Sequence, residues 1–377
     1  MAGEDLHGQL AAVLPGHRSF HALDNRRAQA AIVLELLRAV VDGDAGTLAR
    51  VLLARPAAIW NPDTVAERRA NAAEMAELAV GLGDPFLQVW ASMFSYEAAM
   101  EDTAVEEATT YLEAAWRSAS QVEHALSWFA AFPRAGRALL AGQLDEAELV
   151  ARQALEIGLA THPLHGVALY YGMVRYQIRL EQGRLDELVD RLAAVAADTR
   201  HPETLAMLAQ AYCELGRWDE AREPFEAVAA LLNDLPRDPN WIVLLSRTAA
   251  ACAELGEAST AHVLYDLLLP YSAQLAGQGI SWIGSVAHYL ALLACTLDRA
   301  EDAESHFAAA AATHERIAAP SWLARTRLEW ARMLLARRQP ADVDRARELL
   351  GQALATAREL GLAKVERDAV VLLEDCL

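Results

Sequence analysis

The sequence predicts an all-α protein, a right-handed superhelix (α-solenoid) of antiparallel helix pairs. Apolar residues recur at helical spacing through most of the chain, and no window alternates with the two-residue period of a strand. Apolar residues make up 54% of the sequence but aromatic residues only 7%, since alanine, the best helix former, dominates. A helix–loop–helix unit also recurs, and such a unit buries its apolar face only by stacking on its neighbours.

The repeat is clearest between Leu205 and Val228. Leu208, Ala209 and Tyr212 form the apolar stripe of a first helix, Gly216 ends it, and a second helix carries Phe225. Related units centre on loop positions separated by 41, 33, 40 and 42 residues, namely Gly142, Gly183, Gly216, Gly256 and Asp298. This spacing predicts one continuous run of helix pairs over residues 128–377.

The N-terminal third shows the helical periodicity less regularly. Residues 1–25 lack periodicity and are expected to be a loosely ordered lead-in, and residues 26–127 are expected to form degenerate helical repeats that begin with a helix over Arg26–Val41. The turn before Val65, capped by Asp63 or Thr64, predicts a helix to Leu82, and Pro85 restarts the chain as a helix to about Met100. The segments 232–241 and 271–284 interrupt the rhythm as insertions.

The amino-acid composition and net charge limit the classes of molecule that the protein is expected to bind. The net charge is −19, from 52 acidic and 33 basic residues, and Lys364 is the only lysine. An acidic surface repels phosphate backbones and anionic lipid, so we expect neither a nucleic acid nor a membrane as partner. No apolar run approaches the ~18 to 20 residues of a membrane span, and a cytoplasmic protein is expected.

The repeats resemble the tetratricopeptide repeat (TPR). The small and aromatic positions of that family correspond here to Ala221, Phe225 and Val228 in one unit and to Ala303, Phe307 and Ala310 in another. The unit at Gly183 is degenerate, and the proline that closes a family repeat is mostly missing. The resemblance implies TPR-like pairs whose first helices line a concave groove.

A narrower resemblance covers residues 52–362. The segments AAIWNPDTVAERR, LPRDPNWIVLL and PSWLARTRLEWARMLL are similar to the C-terminal helical-repeat region of large bacterial signalling ATPases. That region is thought to sense a ligand or partner for the ATPase. This chain has no GxxxxGK[ST] phosphate loop, so the resemblance implies a regulatory sensor or scaffold without ATP hydrolysis.

The groove that the TPR resemblance implies carries aromatic, amide and carboxylate side chains, which suit a protein, a peptide or a small effector. The competing interpretation is that most of the aromatic residues are wedges between repeats. The candidate ligand or partner contacts are Trp128, Phe132, Tyr170, Met173, Gln177, Glu181, Gln210, Glu214, Trp241, Trp282, His288, Arg325 and Trp330. Arg325 and Trp330, with Arg327 and Arg332, form a basic, aromatic patch where an acidic peptide is the alternative to a solvated helix face.

No candidate metal or catalytic motif stands out. Cys213, Cys252 and Cys295 precede successive loop positions, where buried small residues are a simpler interpretation than a redox or metal cluster. His162 and His165 lack a third ligand at metal-binding spacing, and the pair His17 and His21 is equally weak. We therefore expect no cofactor, no metal and no hydrolase site.

Two functions remain open at this stage. The first is a non-enzymatic regulatory scaffold that binds a protein, peptide or small effector in the concave groove. The alternative is a small-molecule-binding protein or enzyme with an enclosed pocket among Tyr170, Trp241, Trp282 and His288. An open polar groove favours the scaffold, whereas an enclosed cavity in which His288 meets a carboxylate or tyrosine favours the enzyme or ligand binder.

Overall fold

In the computed structural model, the chain is described over residues 43–122, 126–161, 165–374 and 376. These residues form seventeen α-helices and one two-stranded sheet, so the all-α prediction is confirmed for the described chain in all but that sheet. None of the described helices is long and apolar enough to cross a lipid bilayer. The predicted lead-in, the helix Arg26–Val41 and the histidines His17, His21 and His162 lie outside the described residues.

The elements follow one another with short connections. In chain order they are α1 (Ala45–Ile59), α2 (Val65–Leu82), α3 (Pro85–Glu101), α4 (Val105–Ala119), α5 (Ser127–Leu140), α6 (Leu144–Thr161), α7 (His165–Glu181), α8 (Val189–Thr199), α9 (Pro202–Glu214), α10 (Trp218–Ala229), α11 (Trp241–Leu255), α12 (Ala258–Leu268), β1 (Leu275–Gln278), β2 (Ser281–Ser285), α13 (Val286–Thr296), α14 (Ala300–Arg316), α15 (Pro320–Arg337), α16 (Pro340–Leu360) and α17 (Ala363–Glu374).

Local sequence sets several helix ends. Helix α2 has the predicted bounds, and Thr64 stands at its N-cap without a side-chain cap bond. In the turn before it, Asn61 Oδ1 accepts from the backbone N–H of Asp63 at 2.9 Å, and Thr64 Oγ1 accepts from that of Asn61 at 3.3 Å. Helix α3 begins at Pro85, whose missing N–H costs nothing in a first turn, and the Asp84 carboxylate accepts from the next two backbone N–H groups.

The predicted loop positions between paired helices are confirmed. Gly142, Gly183, Gly216 and Gly256 have φ between 66° and 77°, and Asp298 has φ 57°. This left-handed conformation ends a helix by turning the chain away from it, and glycine adopts it without steric cost. The five residues that define the repeat spacing are therefore the ones whose backbone conformation ends the first helix of each pair.

The described chain divides into two compact units, each with its own interior. Unit 1 comprises the described residues of 1–135, 149–173 and 236–239, and unit 2 those of 136–148, 174–235 and 240–377. In both units, helices that are consecutive in the chain pack against each other. In unit 2 alternate helices also pack together: α9 contacts α11, α11 contacts α13, and α13 and α17 contact α15. Alternate helices thus share a layer, and the side chains of that layer form the site described below.

The sheet corrects the expectation that the chain contains no strands. β1 and β2 form an antiparallel hairpin within the segment 271–284, in which Gly277 faces Trp282. A Cβ atom on Gly277 would lie 2.2 Å from the Trp282 ring, so only glycine fits there. All five residues of β2 are buried, and a strand buried on both faces shows no alternation of polar and apolar residues. The hairpin therefore left no periodic signal in the sequence.

Candidate functional site

The alternate helices of unit 2 line a half-open cavity of about 470 Å³. Glu214 lies at the end of α9, Glu254 at the end of α11, His288 in the first turn of α13, and Arg325 on α15. The remaining charged side chains of the wall are Glu329, Arg332 and Lys364. Spacings of four and seven residues place Arg325, Glu329 and Arg332 on one face of α15, as expected for a helix with 3.6 residues per turn.

Arg325 is the most highly connected charge of this wall. Its Nε donates to Glu181 Oε2 at 3.1 Å, its Nη1 to Glu214 Oε1 at 3.4 Å, and its Nη2 to the Leu180 carbonyl at 3.1 Å. Burial lowers the pKa of the Arg325 guanidinium, but Glu181 and Glu214 outweigh that effect and raise it. Glu181 is 1% exposed and also accepts from Gln177 Nε2 at 3.2 Å. A buried guanidinium with two carboxylates fixes α7, α9 and α15 in register.

A second ion-pair network covers the opposite part of the wall. Arg332 contacts Glu329 at 2.9 Å and Asp368 at 3.3 Å, and Lys364 contacts Asp368 at 3.3 Å and Glu214 at 3.6 Å. Burial raises the pKa of the Glu329 carboxyl despite its contact with Arg332. Glu329 raises the pKa of Arg332, and Glu214 and Asp368 raise that of Lys364 against the effect of burial. The two networks join at Glu214.

Behind the His288 end of the cavity, hydrogen bonds link two histidines through Thr326 and fix the tautomer of one of them, His314. The backbone N–H of Ser285 donates to His314 Nε2 at 2.8 Å, so His314 carries its proton on Nδ1. That N–H donates to Thr326 Oγ1 at 3.1 Å, and Thr326 Oγ1 lies 3.0 Å from His288 Nδ1. Because a backbone amide cannot accept, the tautomer of His314 is fixed, whereas the Thr326 hydroxyl can donate to His288 Nδ1 or accept from it.

Both histidines are neutral at physiological pH. Burial, aided by the charge of Arg325, lowers the pKa of His288 to about 3, and burial lowers that of His314 well below 6.5. Three aromatic rings surround His288 edge-on, those of Tyr289, Phe307 and Trp322, at centroid distances of 5.2 to 6.4 Å. His288 is 4% exposed and lines the cavity, and its recorded side-chain hydrogen bond is the one between Nδ1 and Thr326.

Comparisons with known proteins add little to this geometry. No protein-family model and no curated protein matches the chain. A solved structure of BtubC (BKLC) from P. vanneervenii is similar over 52% of this chain and 87% of that chain, with 18% identity and a TM-score of 0.31. At that score the similarity supports no conclusion about function.

Five of the predicted contact residues lie together around this cavity or directly behind it. Gln210, Glu214, His288 and Arg325 line the cavity, and Glu181 pairs with Arg325. Gln177 extends this group through its bond to Glu181. Helical counting from the loop positions placed Gln177, Glu181, Gln210, Glu214 and His288 on one surface. Arg325 was predicted separately, as part of a basic, aromatic patch.

Three predicted residues belong instead to an aromatic cluster in unit 1. Tyr170 stacks on Phe132 with ring centroids 5.8 Å apart and an interplanar angle of 30°, and Trp128 contacts both rings. Burial and the nearby Glu97 raise the pKa of Tyr170. Neither these residues nor the half-buried Met173 line the cavity. Ring-to-ring packing is the wedge role that sequence analysis left as the alternative.

The three remaining tryptophans also pack in the interior. Trp241 lies edge-on to Tyr271, and Trp282 is 1% exposed within the hairpin. Trp330 stacks on Phe307 at an interplanar angle of 14° under the guanidinium of Arg345. The pocket expected among Tyr170, Trp241, Trp282 and His288 is therefore not the cavity found here, because only His288 lines it.

Sequence analysis missed several residues of the site. Glu329, Lys364 and Asp368 join the ion-pair networks, and Thr326 and His314 hold His288. The helical spacing of the charged residues at positions 325, 329 and 332 could have indicated that Glu329 belongs to the site. No local sequence pattern indicates the same for Thr326. Within the described residues, no group of three or more His, Cys, Asp or Glu side chains is placed to hold a metal ion.

Proposed function

We propose that the protein is a non-enzymatic regulatory binding protein whose TPR-like helix pairs hold a small effector in the cavity of unit 2. The observation that carries this proposal is the cavity itself. Its volume of about 470 Å³ falls within the range of about 300 to 1,000 Å³ for small-molecule sites. Apolar walls with a few convergent polar groups are also typical of such sites.

A small effector fits better than a protein partner. Glu181, a predicted groove residue, is 1% exposed beneath Arg325, so the side chains of a partner protein do not reach it. The polar side chains expected to line an open groove, such as Glu181 and Glu214, instead form ion pairs with Arg325 inside unit 2. His288 lies beside Tyr289 at the cavity wall, the arrangement that sequence analysis associated with a ligand binder.

Binding without catalysis agrees with the chemistry of the wall. Burial raises the pKa of the Cys213 and Cys295 thiols to about 12, so neither is a thiolate nucleophile at neutral pH. Burial lowers the pKa of His288 to about 3, so its ring is a weak base at neutral pH. An effector in contact with α9, α11, α13, α15 and α17 would instead bias their packing, which is how a ligand regulates a stack of repeats.

A thermal-shift screen against metabolites, nucleotides and short peptides tests this proposal. A ligand at 100 times its dissociation constant adds about 2.7 kcal/mol to the free energy of unfolding. Ala253→Trp fills the cavity from α11, and Ala258→Trp introduces the same side chain on α12 at an exposed position outside it. We expect each true hit to lose its shift in Ala253→Trp and keep it in Ala258→Trp.

Two results contradict the proposal: no small molecule shifts the melting temperature, or the shifts persist in Ala253→Trp. A cytoplasmic location and a protein or peptide partner stay predictions from the sequence.

A further inference from the structure

Resting on the proposed function, we infer that the cavity of unit 2 is gated, and that its wall opens along one junction to admit the effector. Residues at the end of α7 and residues of α9, α11, α13, α15 and α17 form most of the wall. The junction is the place where the last two of these helices meet the first two. It comprises Glu181 and Glu214 on one side and Arg325 and Lys364 on the other.

The other boundaries of the wall are closed by helix packing. α9 packs against α11, α11 against α13, α13 against α15, and α15 against α17. Buried apolar side chains contribute to this packing, for example Leu245 of α11 and Leu290 of α13, both 0% exposed. Within the described chain, α9 shows no comparable packing against α15 or α17. Arg325 is 111 to 145 residues from its partners across the junction, so no short connection ties the two sides together.

Charged groups hold the junction closed. Arg325 pairs with Glu181 at 3.1 Å and with Glu214 at 3.4 Å, and Lys364 approaches Glu214 Oε2 at 3.6 Å. Charges that separate into water recover their hydration, which offsets most of the lost attraction, whereas separated apolar faces are exposed at full cost. The junction is therefore the part of the wall that opens with the smallest loss of free energy.

The closed junction also leaves two buried oxygen atoms without a hydrogen bond from any described residue. Glu214 Oε2 lies 3.6 Å from Lys364 Nζ, which is beyond hydrogen-bond distance. Gln177 Oε1 has no described donor, although Gln177 Nε2 donates to Glu181. A buried acceptor without a donor destabilises the state that contains it, and opening lets water donate to both atoms. Opening thus relieves a cost that the closed state carries.

Two turns without side chains complete the junction. A Cβ atom on Gly183 would lie 3.5 Å from Ala363 Cβ, and one on Gly142 would lie 2.7 Å from Leu360 Cδ1. Because each turn presents backbone to the other side, it buries little apolar surface there. The contact at Gly183 also gives a means of locking the junction, since Cβ atoms about 3.5 to 4.5 Å apart suit a disulfide.

Three native cysteines can measure opening. Cys213 lies beside Glu214 at the junction, lines the cavity and is 4% exposed, whereas Cys295 lines the cavity and is half-buried. Cys252 is 0% exposed and is not part of the wall. Burial raises the pKa of all three thiols to about 12. Their thiolate fractions are therefore matched, and differences in their labelling rates measure access.

Labelling with N-ethylmaleimide, quantified for each cysteine by mass spectrometry, tests the gate. Gly183→Cys/Ala363→Cys, oxidised to the disulfide, locks the junction, and Gly183→Ser/Ala363→Ser carries the same strain at the left-handed position without a cross-link. Cys252 reacts only after global unfolding and so corrects for general stabilisation by the disulfide. We expect the labelling rate of Cys213 relative to Cys252 to fall at least about tenfold in the locked protein, because a local opening is removed.

A second variant weakens the junction. Lys364→Met removes the cation next to Glu214 Oε2 and should accelerate labelling of Cys213 by about two- to fivefold, as for one partly exposed ion pair. Lys364 opposes the effect of burial on the pKa of the Cys213 thiol, so its loss would by itself slow the reaction. Acceleration therefore measures opening. Arg358→Met breaks an exposed pair outside the cavity and should leave the rate unchanged.

The outcomes separate this inference from the proposed function. A Cys213 rate that falls no more than that of Cys252 in the locked protein overturns the gate, and so does unchanged labelling in Lys364→Met. The cavity then stays a candidate site, which the thermal-shift screen decides separately. A blank screen, together with slower labelling of Cys213 in the locked protein, contradicts the proposed function while it confirms that the junction opens.

Discussion

The backbone N–H of Ser285 donates to Nε2 of His314 across 2.8 Å, and this single bond determines the tautomer of that side chain. We expect ¹⁵N NMR to show His314 protonated at Nδ1 over the neutral range. Thr326→Val removes the hydroxyl that accepts from His314 Nδ1 and should leave the tautomer of His314 unchanged, because the Ser285 N–H still requires an acceptor. An Nε2-protonated His314 in the unaltered protein would contradict the bond from Ser285.

The same histidines make stability depend on pH. Their folded pKa values lie below the unfolded value of 6.5, to about 3 for His288, so the unfolded state binds more protons as the pH falls. The contribution of His288 is fully present above pH 6.5 and is lost towards pH 3, by about 1.4 kcal/mol per pH unit, and His314 acts in the same direction. Thermal melts from pH 7 to 4 should show a smaller loss in His288→Phe and an unchanged loss in His262→Gln, an exposed control. Equal pH dependence in all three proteins would contradict this.

Replacement of Arg325 by methionine should strongly destabilise unit 2. Arg325→Met leaves Glu181 and Glu214 without the guanidinium, and breaking a buried pair on one side costs about 3 to 5 kcal/mol. Arg358→Met breaks an exposed pair with Glu366 and should cost about 0 to 1 kcal/mol. Urea denaturation of the two variants measures the difference, and similar midpoints would show that the Arg325 network does not support the fold.

Glu97 should make unit 1 less stable as the pH rises. Burial raises the pKa of its carboxyl well above 4.5 although Arg68 opposes the effect, and no described hydrogen bond reaches the Oε2 atom. Since the folded pKa is raised, the stability from this group is fully present below pH 4.5. It is lost as the pH rises towards the folded pKa, by about 1.4 kcal/mol per unit.

Glu97→Gln removes this titration. Its melting temperature, relative to that of the unaltered protein, should increase as the pH rises above 4.5. Glu77→Gln, at an exposed position of the neighbouring helix α2, should show a constant difference. A constant difference for Glu97→Gln as well would mean that the carboxyl titrates normally.

Two helical glycines should respond in opposite directions to the same substitution. A Cβ atom on Gly136 in α5 would lie 2.3 Å from the Ile280 carbonyl oxygen, so Gly136→Ala should destabilise the protein by about 1 to 3 kcal/mol. Gly351 in α16 has no atom within 4 Å of that position, and Gly351→Ala should stabilise by about 0.5 to 1 kcal/mol. Thermal melts of the two variants check the signs, and a stable Gly136→Ala protein would mean that the hairpin moves freely.

Sequence analysis predicted the repeat loops and part of the site for physical reasons. The left-handed turn at Gly216 needs glycine, and helical counting back from it placed Gln210 and Glu214 on one face. The hairpin was missed because β2 is buried on both faces. The aromatic residues Trp128 and Tyr170 were assigned to a groove since a ring that packs and a ring that binds have the same spacing along a helix.

Short-range physics accounts for what the sequence by itself determined: helical segments, their glycine-ended turns, and the face on which each polar residue lies. These depend on contacts within a few residues, which the order of the side chains fixes. The partners of those faces were decided by tertiary structure alone. Glu181 and Arg325 are 144 residues apart in the chain, and Ser285, His314, Thr326 and His288 come from a strand and three helices. Such contacts depend on how helices stack, which no local pattern encodes.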